Sequence, residues 1–289
     1  MTDHHLSEKN NHLPLTIIYR DDSLVVVDKP SGLMTHRSRI AEDDTSSAME
    51  LLRDHLGEWV YPVHRLDRAT SGLLLFGRDK DNARRLHESL AQGQFEKVYW
   101  AITRGHAPIT QEIDRALKEK RDRITDKKAQ HDKAPQSAQT SIETLAHVSL
   151  PIALGRYPSA RFSLVQAVPK TGRRHQLRRH LAGINYPIIG DTTHGRGEQN
   201  RFFRDHFFCH RLLLSAVGMT IPHPLTGERI TLSAPLSGVM LNICRLLFTD
   251  EMTHDQESVT SLDLDQSMIS RSWLTSPSIH RHRLASSQA

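Results

Sequence analysis

The chain has 289 residues, of which 37% are hydrophobic, with 38 Lys and Arg against 33 Asp and Glu for a formal charge of +5. That length and apolar content can bury a sizeable core, which excludes a wholly disordered chain, and two cysteines, Cys209 and Cys244, separated by 34 residues, exclude a disulfide framework. No run approaches the roughly 20 apolar residues of a membrane-spanning helix and no N-terminal apolar stretch suggests export, so the expectation is a soluble protein of the reducing cytoplasm.

Residues 1–13 are polar and read as a mobile lead-in, too short for an accessory domain. Residues 15–19 and 24–28 are apolar and β-branched around the turn-forming Arg20-Asp21-Asp22-Ser23, which predicts a hairpin. Residues 46–56 carry Met49, Leu52 and Leu56 at helical spacing, and 79–90 open on an Asp with Ala83, Leu86 and Leu90 along one face. Between these two helices Leu73-Leu74-Leu75-Phe76 is a continuous apolar run of strand length. Alternation over 97–104, 139–148, 161–168 and 212–221 predicts four further strands, and 222–227 followed by 228–232 a late hairpin. Residues 112–138 are rich in charged and amide side chains and poor in apolar ones, which predicts an exposed excursion between strands. The tail 249–289 turns to Ser, Thr, Asp, Gln and His and is expected to be disordered.

Strands outnumber helices and few are joined by helical crossovers. The predicted class is therefore α+β, a mixed, largely antiparallel central sheet with flanking helices, occupying 14–248 as one domain. Charge is unevenly placed: residues 170–180 hold five Lys or Arg and two His with no acid, whereas 250–270 hold six Asp or Glu with no Lys or Arg. The first segment is the surface a polyanion would meet.

The run His64-Arg65-Leu66-Asp67-Arg68-Ala69-Thr70-Ser71-Gly72 sets one carboxylate among three basic side chains, immediately before the apolar strand 73–76. Arg65 and Arg68 beside Asp67 favour its ionised form, available as a base or nucleophile, and a buried strand would hold the loop in place. The same residues also fit a surface Asp satisfied by its Arg neighbours or capping a short helix.

This run resembles the catalytic motif of the RluA-type RNA pseudouridine synthases. Three more landmarks stand in that family's order: Asp28-Lys29-Pro30-Ser31-Gly32-Leu33, Lys97-Val98-Tyr99-Trp100-Ala101, and Lys170-Thr171-Gly172-Arg173-Arg174-His175-Gln176-Leu177-Arg178-Arg179-His180. The resemblance runs from about Leu15 to about Pro235. Leu33-Met34-Thr35-His36-Arg37-Ser38, Ala153-Leu154-Gly155-Arg156-Tyr157-Pro158 and the run from Tyr186 to Gly195 bring it closest to the bacterial enzymes that modify uridine 65 of transfer RNA.

The resemblance implies the pseudouridine synthase fold and an isomerisation in which the N1 to C1′ bond breaks, the uracil turns while bound, and C5 joins C1′. That chemistry uses no redox equivalent, metal or other cofactor. Asp67 is the implied catalytic carboxylate; it attacks C1′, adds at C6 or removes the C2′ proton, and the sequence leaves all three open. Tyr99 resembles the active-site tyrosine whose ring lies on the flipped uracil, and Arg173 the basic residue paired with the carboxylate. Arg65 is the implied occupant of the space the uridine leaves, supported by His64. Arg68, Arg174, His175, Gln176, Arg178 and Arg179 are expected to meet RNA, chiefly its phosphates, or to pack locally. Lys29 and Pro30 are expected to be mostly structural. The implied partner is transfer RNA, with ribosomal RNA as the alternative, and the chain is expected to act as a monomer without an obligatory protein partner.

Other chemistries fit less well. His206-Phe207-Phe208-Cys209-His210 brings two His and a Cys together, but no second Cys cluster or His-Glu-x-x-His follows, and the Phe pair suggests a packed helix. A non-catalytic RNA-binding module would not need Asp67. A glycoside hydrolase would need a second prominent carboxylate.

Overall fold

Each element forms where local chemistry starts and stops it, and one sheet collects them. The computed structural model of the chain describes residues 15–37, 46–118, 134–155 and 157–252. The expected lead-in 1–13, most of the expected excursion and the tail beyond 252 lie outside the described residues.

Strands β1 (Thr16–Arg20) and β2 (Leu24–Lys29) form the expected hairpin, closed by Asp21, whose carboxylate accepts from the Ser23 and Leu24 amides at 2.7 and 2.9 Å. Helix α1 (Ala48–Leu56) is started by a capping box between Ser47 and Glu50 and stopped by Gly57 at φ 69°. A short strand β3 (Tyr61–Pro62) leads into β4 (Ser71–Gly77), every residue of which is buried. Asp79 caps helix α2 (Lys80–Ala91).

Next come β5 (Glu96–Arg104), β6 (Thr110–Asp114), β7 (Gln139–Leu150), β8 (Ala160–Pro169), α3 (Gln176–Gly183), α4 (Gly197–Phe207), β9 (Leu214–Pro222), β10 (Arg229–Ser233) and α5 (Gly238–Met252). The sheet runs β1-β2-β4-β9-β5-β8-β7-β6, with β10 on β9 and β3 on β4. Among the described strands only β4 and β9 pair in parallel, so the expected mixed, largely antiparallel sheet is present.

Alternating side chains pack the helices onto both faces. Val25, Val27, Leu74 and Phe76 meet Leu52 of α1, while Leu24, Val26, Leu73 and Leu75 meet Leu86 of α2. Likewise Ala101 and Val165 meet Leu177 and Leu181 of α3, while Trp100, Ile102 and Phe162 meet Phe203 of α4 and Met240 of α5.

Two boundaries differ from expectation. Residues 112–114 belong to β6, whose Glu112, Ile113 and Asp114 pair with Ser141, Thr140 and Gln139; edge pairing with β7 supplies the order that one buried side chain, Ile113, could not signal. The boundary at 248 falls inside α5, which continues to Met252 and buries Met240, Ile243, Cys244, Leu247 and Phe248 at helical spacing against the α4 side of the sheet. Gly72, at φ 103°, has Ala216 backbone atoms where a Cβ would stand, so the parallel seam between β4 and β9 closes only on glycine.

Candidate active site

Asp67 sits in the loop between β3 and β4, and that loop is fastened mainly by backbone atoms. Its start is held by His64, whose Nε2 accepts the Leu75 amide of β4 at 3.2 Å. Burial pulls the His64 imidazole down to about 3, so it stays neutral and keeps that acceptor. The segment after β2 then clips the loop from the other side. Thr35 Oγ1 donates to Leu66 O and accepts from Leu66 N, the Gly32 amide donates to Arg68 O at 2.7 Å, and Ser31 Oγ donates to Ala69 O at 2.7 Å.

Lys29 completes the clip from inside. Its side chain is fully buried, and Nζ donates to Pro30 O and Leu33 O at 2.8 Å and to Arg68 O at 3.4 Å. Burial, helped by Arg211 nearby, lowers its pKa to about 7 against the opposing pull of Asp67 and Asp28. The ammonium's three donors thus tie two loops together at the foot of Asp67.

The carboxylate itself is oriented from α3. Arg178 Nη1 donates to Asp67 Oδ2 at 3.2 Å, while its Nε and Nη2 form a fork on Asp191 at 2.8 and 2.9 Å. Asp191 is 2% exposed and also accepts the Thr193 and His194 amides. Burial opposes its charge, but Arg178 and those amides hold its carboxyl below the usual carboxylate range. Gly190 at φ 80° lets the chain pass against Arg211 O just before it.

His175 caps α3 in the left-handed conformation at φ 55°. Its Nε2 lies 3.9 Å from Asp67 Oδ2, and its Nδ1 is 3.2 Å from His194 Nε2. Burial lowers its pKa, and the neighbouring Arg178, Arg174 and His194 push the same way against Asp67, so the imidazole favours its neutral form.

Tyr99 faces this carboxylate from β5. The β5–β9 register slips between Val98 and Tyr99, so that Val98 pairs with Gly218 and Tyr99 with Ala216. Burial, reinforced by Asp67, raises the pKa of the half-buried Tyr99, which stays a neutral phenol. Asp67, Tyr99, Arg178, His175, His64, Arg65, Arg173 and Lys97 all line one cleft of about 640 Å³.

Several sequence-based assignments change. The guanidinium on Asp67 is that of Arg178; Arg173, exposed and ahead of the start of α3, turns its Nε to Ser137 O at 3.0 Å. Arg65 and Arg68 do not supply the charge partner: Arg65 is exposed on the cleft wall, and Arg68 Nε binds Gly32 O at 2.9 Å. His64 and Gln176 are internal braces, the latter donating to Gln139 O and Thr140 Oγ1 and accepting from Thr171 Oγ1 and the Arg173 amide. Arg174 and Arg179 do not line the cleft. The roles of Asp191 and His194 escaped sequence reasoning, although Gly190-Asp191-Thr192-Thr193-His194 stood out as a motif; nothing local says that its Asp reaches back to α3. His206 Nδ1 meets Phe202 O and Cys209 Sγ meets Arg211 O, and among the described residues no group of three His, Cys, Asp or Glu is placed to hold a metal.

Among the described residues Asp67 is the one carboxylate that lines this basic, aromatic cleft, the arrangement implied by the resemblance to RNA-modifying isomerases, and the sequence comparison agrees. The RNA pseudouridylate synthase family model matches residues 23–183, and the chain belongs to that family. It is 48% identical over 230 residues to "tRNA pseudouridine synthase C" of Yersinia pestis, covering 78% of this chain and 90% of that one. Against the protein of the same name from Vibrio cholerae the identity is 45% over 225 residues, covering 78% and 92%. Among solved structures, human RNA Pseudouridylate Synthase Domain Containing 4 superposes with TM-score 0.59 at 26% identity over 80% of this chain and 92% of that one. Human RNA Pseudouridylate Synthase Domain Containing 1 shares the fold with TM-score 0.62 at 23% identity, covering 92% and 96%.

Proposed function

We propose that this protein converts uridine to pseudouridine in transfer RNA, with uridine 65 as its target, and that Asp67 is the catalytic carboxylate. The observation that carries this reading is the single Asp67 carboxylate held by Arg178, itself locked by Asp191, in a cleft shared with Tyr99. Such a carboxylate is fixed in direction for attack at C1′ or C6 or for proton removal at C2′. Tyr99 offers a ring face for the detached uracil and, as a neutral phenol, a hydrogen bond rather than a standing base. Arg65, exposed on the cleft wall, is placed to enter the stack the uridine leaves. The names of the bacterial relatives support the choice of transfer RNA, and such a substrate would set the work in the cytoplasm. No described helix is long and apolar enough to cross a membrane.

The test incubates wild-type and Asp67→Ala protein with unmodified transfer RNA and ribosomal RNA transcripts tritiated at uracil C5. Wild type alone should release tritium, from transfer RNA, with the product mapped to position 65. Release by both proteins, or by neither despite RNA binding, overturns the catalytic reading. Release from ribosomal RNA alone overturns the choice of substrate.

A further inference from the structure

Pseudouridine formation needs a base as well as a carboxylate. On each of the three courses open to Asp67, the uracil rejoins C1′ through a C5 that still carries its hydrogen, while N1 lacks one. That hydrogen must leave C5 as a proton before the product is formed. Tyr99 is poorly suited to take it, because burial raises its pKa and keeps the phenol protonated.

Among the described residues, two basic side chains come within ion-pair distance of the Asp67 carboxylate, Arg178 at 3.2 Å and His175 at 3.9 Å. Arg178 is a permanent cation and cannot accept a proton. His175 can. It lines the cleft with Nε2 on the Asp67 side, and burial favours its neutral form. Around it stand Asp67 from the loop before β4, Arg174 and Arg178 from its own segment, and His194 from the loop before α4, while Tyr99 lines the same cleft from β5.

His175 occupies the N-cap position of α3 at φ 55°, yet its side chain does not cap the helix. Left-handed backbone is uncommon away from glycine, and here it carries an imidazole that the helix does not use. Instead Nδ1 lies 3.2 Å from His194 Nε2, with the two rings edge to face at 5.5 Å. His194 is fixed by Asp191, whose Oδ1 accepts the His194 amide at 2.9 Å while the same carboxylate holds Arg178. One buried carboxylate thus sets both groups at Asp67, Arg178 directly and His175 through His194.

We infer that His175 is a second catalytic residue, the base that takes the C5 proton through Nε2, and that His194 is a positioning residue that accepts the Nδ1 proton and leaves the Nε2 lone pair free. In the rejoined ring the C5–H electron pair becomes the C5–C6 double bond and the C6–N1 π pair moves onto N1. N1 takes a proton from the imidazolium or from water, so no net proton is gained. The Asp67 carboxylate, 3.9 Å away, favours the imidazolium while it exists. This inference rests on the pseudouridine reading of the cleft.

The test follows pseudouridine formation in transfer RNA transcripts with hydrogen or deuterium at uracil C5. Glycine suits the left-handed backbone at 175 and leaves room for added imidazole. His175→Gly should unfold cooperatively and bind transfer RNA like wild type, while kcat falls about a hundredfold or more. With C5 deprotonation now the slow step, a deuterium isotope effect larger than that of wild type should appear, and imidazole should restore turnover. His175→Asn, which also tolerates that backbone, should show the same loss and the same isotope effect. His194→Leu should lower kcat about tenfold with little change in KM, and His194→Gln, which keeps an acceptor for Nδ1, should recover most of it. Unchanged kcat in His175→Gly and His175→Asn, or a loss without the larger isotope effect, would overturn the inference and leave Asp67 as the catalytic carboxylate. Equal turnover by the two His194 variants would overturn the role of His194. If wild type makes no pseudouridine, the reading of the cleft falls and this inference with it.

Discussion

The two fastenings of Asp67 differ in kind. On one side, residues 29–35 grip the loop through its carbonyl and amide groups: Lys29 and Gly32 on Arg68 O, Ser31 on Ala69 O, Thr35 on Leu66. These contacts place the backbone, and none of them is made to the carboxylate of Asp67. On the other side, Arg178 of α3 touches only the carboxylate and is itself held by Asp191 from the loop before α4. The first arrangement sets where the acid stands, and the second sets which way it points. A change on the first side should therefore register as stability and loop motion, and one on the second as turnover.

Substitution at the centre separates the two most sharply. Asp67→Ala should lose all measurable turnover yet shift stability by only about 1 kcal/mol, because Arg178 keeps its fork on Asp191. Asp191→Ala should do both, costing about 3–5 kcal/mol in urea titration by leaving Arg178 buried without its partner, and also lowering kcat. If Asp191→Ala were as stable as Asp67→Ala, the comparison would break.

Arg178→Lys keeps the charge and loses the fork, so kcat should fall by about a hundredfold or more with little change in KM, whereas Arg173→Ala should act mainly on KM and by less than about tenfold. The reverse ranking in steady-state kinetics would restore Arg173 as the partner. Lys29→Met should cost about 1–3 kcal/mol by stranding the carbonyls it serves, and should speed amide exchange at Leu66 and Gly32 more than it lowers kcat per folded molecule.

The smallest effect is a matter of pH. His64 takes up a proton below about 6.5 when unfolded but only near 3 when folded, so the unfolded chain binds more protons in that window. Stability should then fall as pH drops, by up to about 1.4 kcal/mol per unit from this group. His64→Gln, which retains an acceptor for the Leu75 amide, should flatten that dependence in denaturant titrations at pH 7, 6 and 5; an unchanged slope would show that His64 is not the group responsible.

How much of this was legible varies along the chain. The hairpin, α1, α2 behind Asp79 and the buried β4 follow from periodicity and capping chemistry alone. Strand β6 did not, because edge pairing rather than hydrophobicity holds Glu112 and Asp114, and α5 did not although its apolar residues recur at helical spacing, since the polar tail that follows masked its end. Within the site, Asp67 and Tyr99 were readable from their motifs. The choice among Arg173, Arg174, Arg178 and Arg179 was not, because four cations within seven residues look alike until the helix has a direction and a partner.

By itself, then, the sequence determined the periodic elements, the class of sheet, the presence of one exceptional carboxylate in a basic setting, and the family to which its motifs belong. These depend on interactions within a few residues or on runs of residues read in order. Only the tertiary structure decided that Arg178 serves Asp67, that Asp191 steadies Arg178, that Lys29 clamps the loop and that His175 meets His194. Those contacts join residues up to 111 positions apart, and their energies arise from burial and direction, which exist only once the chain has folded.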